Sequence, residues 1–201
     1  MKKELIAAII DLEWAMFDDV RNVGGRAWCQ NDPRTFRIMR ASQAKTWPDE
    51  LLASYRDDLV AARAAGRNLM TEKYARMMES THPEEFAQIA GALPPVDPKS
   101  RAAIEEIVAI NVGWEEEVAA KYPRLSARGR PLRTAEDTPC ATSFETYGRG
   151  ELRTYSPETI ALLHAHTMHQ VREGINGAEL VLQNMVEAYG YKTLAEANDR
   201  A

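Results

Sequence analysis

The sequence predicts an all-α protein, an internally duplicated helical domain whose two similar multi-helix halves, residues 1–92 and 93–201, pack as one globular unit about a pseudo-two-fold axis. Three observations predict it. Apolar residues recur at helical spacing along most of the 201-residue chain, and no stretch alternates as a half-buried strand does. Proline and glycine fall where helices start and stop. The third observation is a repeat: Trp14, Gly25-Arg26, Phe36, Trp47 and Gly66-Arg67-Asn68 are answered by Trp114, Gly129-Arg130, Phe144, Tyr155 and Gly174-Ile175-Asn176. The offset is 100 at the tryptophans, 104 at Gly-Arg and 108 at the last three pairs. A period near half the chain length points to two similar units packed on each other, and such junctions are common places for a ligand site.

Ile6, Ile10, Phe17 and Val20 predict a first helix over residues 3–20 with one buried stripe, and Glu13 sits on that stripe. Asp32-Pro33 has the cap-then-proline form of a helix start and opens a second helix through Phe36, Arg40 and Gln43, which stops near Trp47-Pro48. Leu51, Leu52, Tyr55, Leu59 and Ala62 mark a third, ended by Gly66. Asn68 caps a fourth through Met70, Tyr74, Met77 and Met78, with Tyr74 expected in the core and Glu72 and Lys73 facing water. His82-Pro83 opens a short helix, and the proline-rich stretch from Gly91 to Pro98 is the hinge between halves.

In the second half Asp97-Pro98 starts a long helix through Ile104, Ile107, Val108, Trp114 and Val118. An arginine-rich polar loop spans Tyr122 to Thr142. Ser143 to Leu152 form a short helix, and Ser156-Pro157 starts the one closed by Gly174. Leu180, Leu182, Met185 and Val186 line the last main helix, ended by Gly190, and Thr193 caps a terminal turn.

A hydrophobic content of 45%, a charged content of 27% and a net charge of −5 describe an ordinary globular chain. The negative balance argues against a nucleic acid or an anionic membrane as partner, since both need a summed positive field. Cys29 and Cys140 lack CxxC spacing and read as free thiols of a reducing compartment. Met1-Lys2-Lys3 opens as a signal peptide does, but Glu4, Asp11 and Glu13 interrupt the apolar run that follows. No other stretch approaches the roughly 20 apolar residues of a membrane span. The expectation is a cytoplasmic protein.

Glu13 is the sharpest candidate for chemistry. A carboxylate inside an apolar stripe needs a partner. An arginine such as Arg26 or Arg149 makes it a structural ion pair; alternatively it is a proton-transfer group in a cleft. The Gly-Arg loops supply a second set. Arg26 lies in one loop, with Arg40 and Gln43 on the helix after it. Arg124, Arg128, Arg130 and Arg133 crowd ten residues of the other. Guanidinium groups bind carboxylate or phosphate through paired N–H donors, while a solvated loop paired with Glu136 and Asp137 is the plainer reading of that run. Glu145 and Arg149 lie four apart, as do Tyr147 and Glu151, so each pair shares a helix face. A surface salt bridge from Glu145 to Arg149 is the plain reading there, and proton transfer by Glu145 or Tyr147 the functional one. Cys29, beside Gln30 and near Arg26, has an electropositive neighbour that favours nucleophilic use, although no histidine precedes His82 to serve as its base. His166 and His169 are three apart, without the carboxylates of a di-iron bundle. No motif names a metal, a cofactor or a reaction.

Leu12-Glu13-Trp14, Gly24-Gly25-Arg26-Ala27-Trp28-Cys29-Gln30-Asn31-Asp32, Arg40, Ser42-Gln43, Trp47-Pro48, Gly66-Arg67-Asn68-Leu69 and Glu72-Lys73-Tyr74-Ala75-Arg76-Met77-Met78 carry a resemblance. It continues through Gly129-Arg130-Pro131, Ser143-Phe144-Glu145-Thr146-Tyr147 and Gly150-Glu151-Leu152. Over nearly its whole length the chain resembles a bacterial family known as domain of unknown function 4125. The resemblance implies a bacterial, cytosolic setting and assigns no catalytic residue.

Taken together, the residues favour a small polar, anionic molecule bound between the halves by Arg26, Arg40, Gln43, Arg130 and Arg149. Its catalytic version uses Glu13, Glu145, Tyr147 or Cys29 for acid-base or nucleophilic work. The rival reading is a non-catalytic protein–protein interaction module, and a homo-oligomer is compatible with either.

Overall fold

Prolines and short polar side chains open most helices of this chain, and Gly66, Gly174 and Gly190 follow the ends of three of them. The computed structural model describes residues 2–22, 25–127 and 129–201; Gly24 and Arg128, singled out above, lie outside the described residues. The helices are α1 Lys2–Asp18, α2 Pro33–Ala44, α3 Asp49–Ala64, α4 Leu69–Thr81, α5 Pro83–Ile89 and α6 Pro98–Lys121, followed by α7 Pro123–Ser126, α8 Phe144–Leu152, α9 Pro157–Arg172, α10 Gly177–Ala188 and α11 Leu194–Arg200. Short 3-10 turns occupy Trp28–Asn31, Ala90–Ala92 and Thr134–Glu136. Among the described residues there is no strand, only an isolated bridge between Thr138 and Ala141. Side chains of Asp32, Asn68, Asp97, Ser143, Ser156, Asn176 and Thr193 accept from first-turn N–H groups of the helices they precede, satisfying donors that no carbonyl reaches.

One continuous core takes residues from both sides of the proline-rich linker. Ile9, Leu51, Leu52 and Leu59 from before it meet Ile104, Ile107, Val112 and Ile160 from after it. Helix α1 packs on α2, α3 and α4; α6 packs on α8, α9 and α10. Across the molecule α3 packs on α9, α4 on α8, and α10 on α2. A smaller cluster of Val186, Leu194 and Ala197 seats α11 beside α7 and α10.

The turns after α3 and α9 match bond for bond. Gly66 and Gly174 have φ of +68° and +66°, a region open to glycine at no steric cost. Each lets the next N–H reach back into the last turn, Arg67 to the Ala62 carbonyl and Ile175 to the Gln170 carbonyl, both at 2.8 Å. The following Asn caps the next helix and also ties it to a neighbour: Asn68 Nδ2 donates to the Met16 carbonyl at 2.8 Å, and Asn176 Nδ2 to the Trp114 carbonyl at 3.1 Å.

Helix α4 departs from the sequence expectation. Lys73 and Arg76 lie on its buried face with Leu69, Met70 and Met77, and Glu72 is buried too, whereas Tyr74 is half-buried. The sequence spacing predicts an apolar stripe through Tyr74 and Met78; Tyr74 packs against the core at its edge. The charged face is held by bonds from other segments: Lys73 meets Glu151 of α8, Glu72 meets Arg67 of the preceding turn, and Arg76 meets the Pro94 carbonyl.

Candidate functional site

Glu13 is fully buried, as its position on the α1 stripe requires. Its partner is Arg40 of α2, one turn before the end of that helix, in place of Arg26 or Arg149. Arg40 Nε donates to Glu13 Oε2 at 2.8 Å and Arg40 Nη2 to Oε1, a two-pronged contact, and Tyr55 Oη of α3 donates to Oε1 at 2.7 Å. Arg40 Nη1 continues to Gln43 Oε1 at 2.9 Å and to Glu151 Oε1 of α8 at 3.1 Å. Tyr155 Oη donates to the same Glu151 oxygen at 2.8 Å, and Lys73 Nζ of α4 to the other at 2.8 Å. Lys73 Nζ also donates to the Tyr147 hydroxyl and stands 3.8 Å from the centroid of that ring.

Two carboxylates and two cations from four helices therefore form a balanced buried tetrad, closed by three phenols and an amide. Burial acts against the charged form of Glu151, but Arg40 and Lys73 outweigh it and hold its carboxyl well below the usual range. Burial likewise acts against the cation of Arg40, and Glu13 with Glu151 outweigh it and push its pKa up. Burial and the adjacent carboxylates raise Tyr55 and Tyr155 well above the ordinary phenol range. At neutral pH these groups hold one protonation state, and their bonds brace α1, α2, α3, α4 and α8 against one another.

The other sequence candidates fall in two places. Arg26 is exposed and turns inward to its own loop, pairing with the Asp18 carboxylate, Asn31 Oδ1 at 2.8 Å and the Gln30 carbonyl at 2.6 Å, with Cys29 exposed in the same turn. Arg130 stacks its guanidinium 4.6 Å from the Tyr147 centroid and donates to the Thr142 carbonyl at 3.2 Å. Both loops act electrostatically on Tyr74, whose phenol burial pushes up to about 12, with Lys73 opposing. Glu145 pairs with Arg149 at 2.9 Å and accepts the Thr134 N–H at 2.8 Å; Arg149 also reaches Glu105 at 2.9 Å. Arg133 pairs with Glu116 of α6 at 2.6 Å, while Glu136 accepts the Leu132 and Arg133 N–H groups and Asp137 accepts from Ser143 and Thr146.

A cleft opens where α4 crosses α8. Gly150 permits the close approach: a Cβ there would stand 3.0 Å from Met77 Cγ and 3.1 Å from the Lys73 carbonyl oxygen. Beside this crossing lies a cavity of about 350 Å³ lined by Arg76, Glu79 and Ser80 from one side and Thr134, Thr146, Arg149 and Arg153 from the other. A second cavity of about 420 Å³ adjoins it, sharing Arg76, Glu79 and Arg153. Arg76 was missed in the sequence, and it is the unusual member. Only 9% exposed, it donates through Nη2 to the Pro94 carbonyl at 2.6 Å, while its Nε is buried without an acceptor. The two carboxylates that act on it are engaged elsewhere, Glu72 by Arg67 at 2.7 Å and Glu79 by Arg153. Burial pushes its pKa down, and Arg153 and Arg67 add to that effect against Glu72 and Glu79.

Fold and site define an all-helical protein in which a closed ion network braces the helices and an arginine-lined cleft stands next to it. No described helix is long and apolar enough to cross a membrane. The chain belongs to the family described as protein of unknown function (DUF4125), which matches residues 3–199. Neither a curated protein nor a solved structure matches it.

Proposed function

We propose that this chain is a cytoplasmic, internally duplicated helical protein that binds a small anionic molecule in the Arg76 cleft, at the junction of its halves. One observation carries the reading: a nine-tenths buried guanidinium, that of Arg76, lines both cavities and has the Pro94 carbonyl as its one hydrogen-bond acceptor among the described residues. Burying an unpaired charge costs several kcal/mol, and an anion in the cleft offsets that cost. Arg149 and Arg153 bring two further guanidinium groups to the same wall, and Ser80, Thr134 and Thr146 bring hydroxyls. The duplication is supported by the matching turns at Gly66 and Gly174 and by the reciprocal packing of α4 on α8 and α10 on α2. The exposed free thiols of Cys29 and Cys140 suit a reducing compartment.

Binding is favoured over acid-base catalysis because Glu13 is sealed from solvent and already accepts three hydrogen bonds. The test is a thermal melt of the full chain with inorganic phosphate or acetate at constant ionic strength. Preferential binding to the native state raises Tm with ligand concentration, and Arg76→Met abolishes the rise. Unchanged melting with both anions overturns the reading. A second reading, the protein–protein interaction module, has one observation in its favour, the 78% exposure of Trp28. It predicts that self-association or partner capture is lost in Trp28→Ala.

A further inference from the structure

We infer that His166 is an acid-sensitive latch on the seam between the halves: a proton taken up by its ring loosens the hold of α9 on the turn that joins α2 to α3. The inference is independent of the anion-binding reading above. His166 lies half-buried on α9, and its Nε2 is sealed from solvent with no hydrogen-bond partner among the described residues. The backbone of Thr46, in the turn after α2, meets the ring from the other half. A neutral imidazole nitrogen is tolerated in such a place at modest cost, whereas a charged ring with an unanswered N–H is not.

Among the described residues no carboxylate acts on the ring. The helices packed on α9 include α3 and α6, and the acids they direct at it are engaged elsewhere: Asp58 of α3 accepts the Ser156 N–H at 3.0 Å, and Glu106 of α6 lies 2.7 Å from His164 Nε2. The charges that do act on His166 are cationic, His169 one turn further along α9 and Lys2 at the start of α1. Burial first, then His169 and Lys2, hold its pKa below the ordinary histidine value, against the Thr46 backbone. One helix thus carries a histidine answered by a carboxylate, His164, and one that is not.

The turn beside His166 seats part of the ion network. Lys2 Nζ donates to the Trp47 carbonyl at 2.6 Å, so α1 is tied to the same turn. Trp47 is buried and stands edge-on to Tyr55, with ring centroids 5.6 Å apart, and to Tyr155 at 6.5 Å. Those two phenols donate to Glu13 and Glu151. Charging His166 adds a cation beside Lys2 at a turn whose tryptophan packs on the phenols of the network. Because the folded-state pKa lies below the unfolded value of 6.5, the contribution of this joint is fully present above that value and is lost as pH falls through the folded pKa.

Titration of the histidine Cε1–H resonances of the full-length protein by NMR, from about pH 8 to about pH 5, together with urea midpoints over the same range, tests the inference. The resonance missing from His166→Gln titrates below 6.5 in the wild type, and the fall of the wild-type midpoint on acidification is flattened in His166→Gln. Each pH unit of depression corresponds to a factor of about ten in the folding equilibrium constant, so the difference between the two urea series must match the NMR titration. Lys2→Met removes one opposing cation and leaves the imidazole in place, so it moves the same titration to higher pH and identifies the resonance in a chain that keeps His166. Titration of His166 at or above 6.5, or a midpoint that falls as steeply in His166→Gln as in the wild type, overturns the inference.

Discussion

Arg40, whose side chain is 12% exposed, and the buried Arg76 both lie on helices before the proline-rich linker, and they are held in opposite ways. Every arm of Arg40 is answered: Glu13 takes two, and Gln43 and Glu151 share the third. Arg76 has one carbonyl and an Nε left without an acceptor. A buried charge whose partners are supplied by the fold is structural. Arg76 has no carboxylate bonded to it among the described residues, and the cavities it lines are where we propose that an anion sits.

The comparison breaks most sharply at Glu151, which serves both Arg40 and Lys73. Glu151→Ala leaves two buried cations short of a carboxylate, and removing one partner of a buried pair costs about 3–5 kcal/mol; the urea midpoint reports it. Glu13→Gln keeps the shape and loses charge, with an expected loss of roughly 1.5–3 kcal/mol by the same measurement.

Acid removes the contribution of Glu151 to the network. The folded-state pKa of Glu151 is depressed, so its contribution is fully present above its unfolded value of about 4.5 and is lost as pH falls below that value. Urea midpoints measured from neutral pH downward therefore decline below about pH 4.5, and Glu151→Gln makes that acid limb shallower.

Gly150→Ala probes the crossing of α4 and α8. Its methyl would meet Met77 and the Lys73 carbonyl, and overpacking of this kind costs about 1–3 kcal/mol. The smallest effect belongs to Arg26→Ala. Its pairing with Asp18 is solvent-exposed, so stability should change by less than about 1 kcal/mol in a thermal melt.

Much of this was legible in the sequence wherever the signal was local. Caps at Asp32, Asn68, Ser143 and Ser156 and stops at Gly66 and Gly174 depend on a residue and its next few neighbours, and the helices follow from them. Glu13 could be read as buried because it interrupts a clean stripe of Ile6, Ile10, Phe17 and Val20. Its partner could not, since Arg40 is brought to it by the packing of α2 on α1 and nothing in the spacing distinguishes Arg40 from Arg26.

The same rule that found Glu13 was available for α4 and was defeated by the aromatic. Leu69, Met70, Lys73, Arg76 and Met77 share a face, but Tyr74, Met77 and Met78 offer a competing stripe of more apolar character. Choosing the apolar stripe put Lys73 in water and passed over Arg76. Glu151 was legible only as the i+4 neighbour of Tyr147, and its role depends on Lys73, 78 residues away along the chain. Buried charges reveal themselves in sequence only when the stripe around them is otherwise unbroken.

The most direct test of the contrast is the folding free energy of Arg40→Met beside that of Arg76→Met, each measured by urea unfolding without added anion. Arg40→Met strands two buried carboxylates and should lose about 3–5 kcal/mol, whereas replacing an incompletely satisfied buried guanidinium by a side chain of similar volume should leave stability within about 1 kcal/mol of the wild type or raise it. Equal, large losses in both variants would contradict the account, because Arg76 would then be as much a brace of the fold as Arg40.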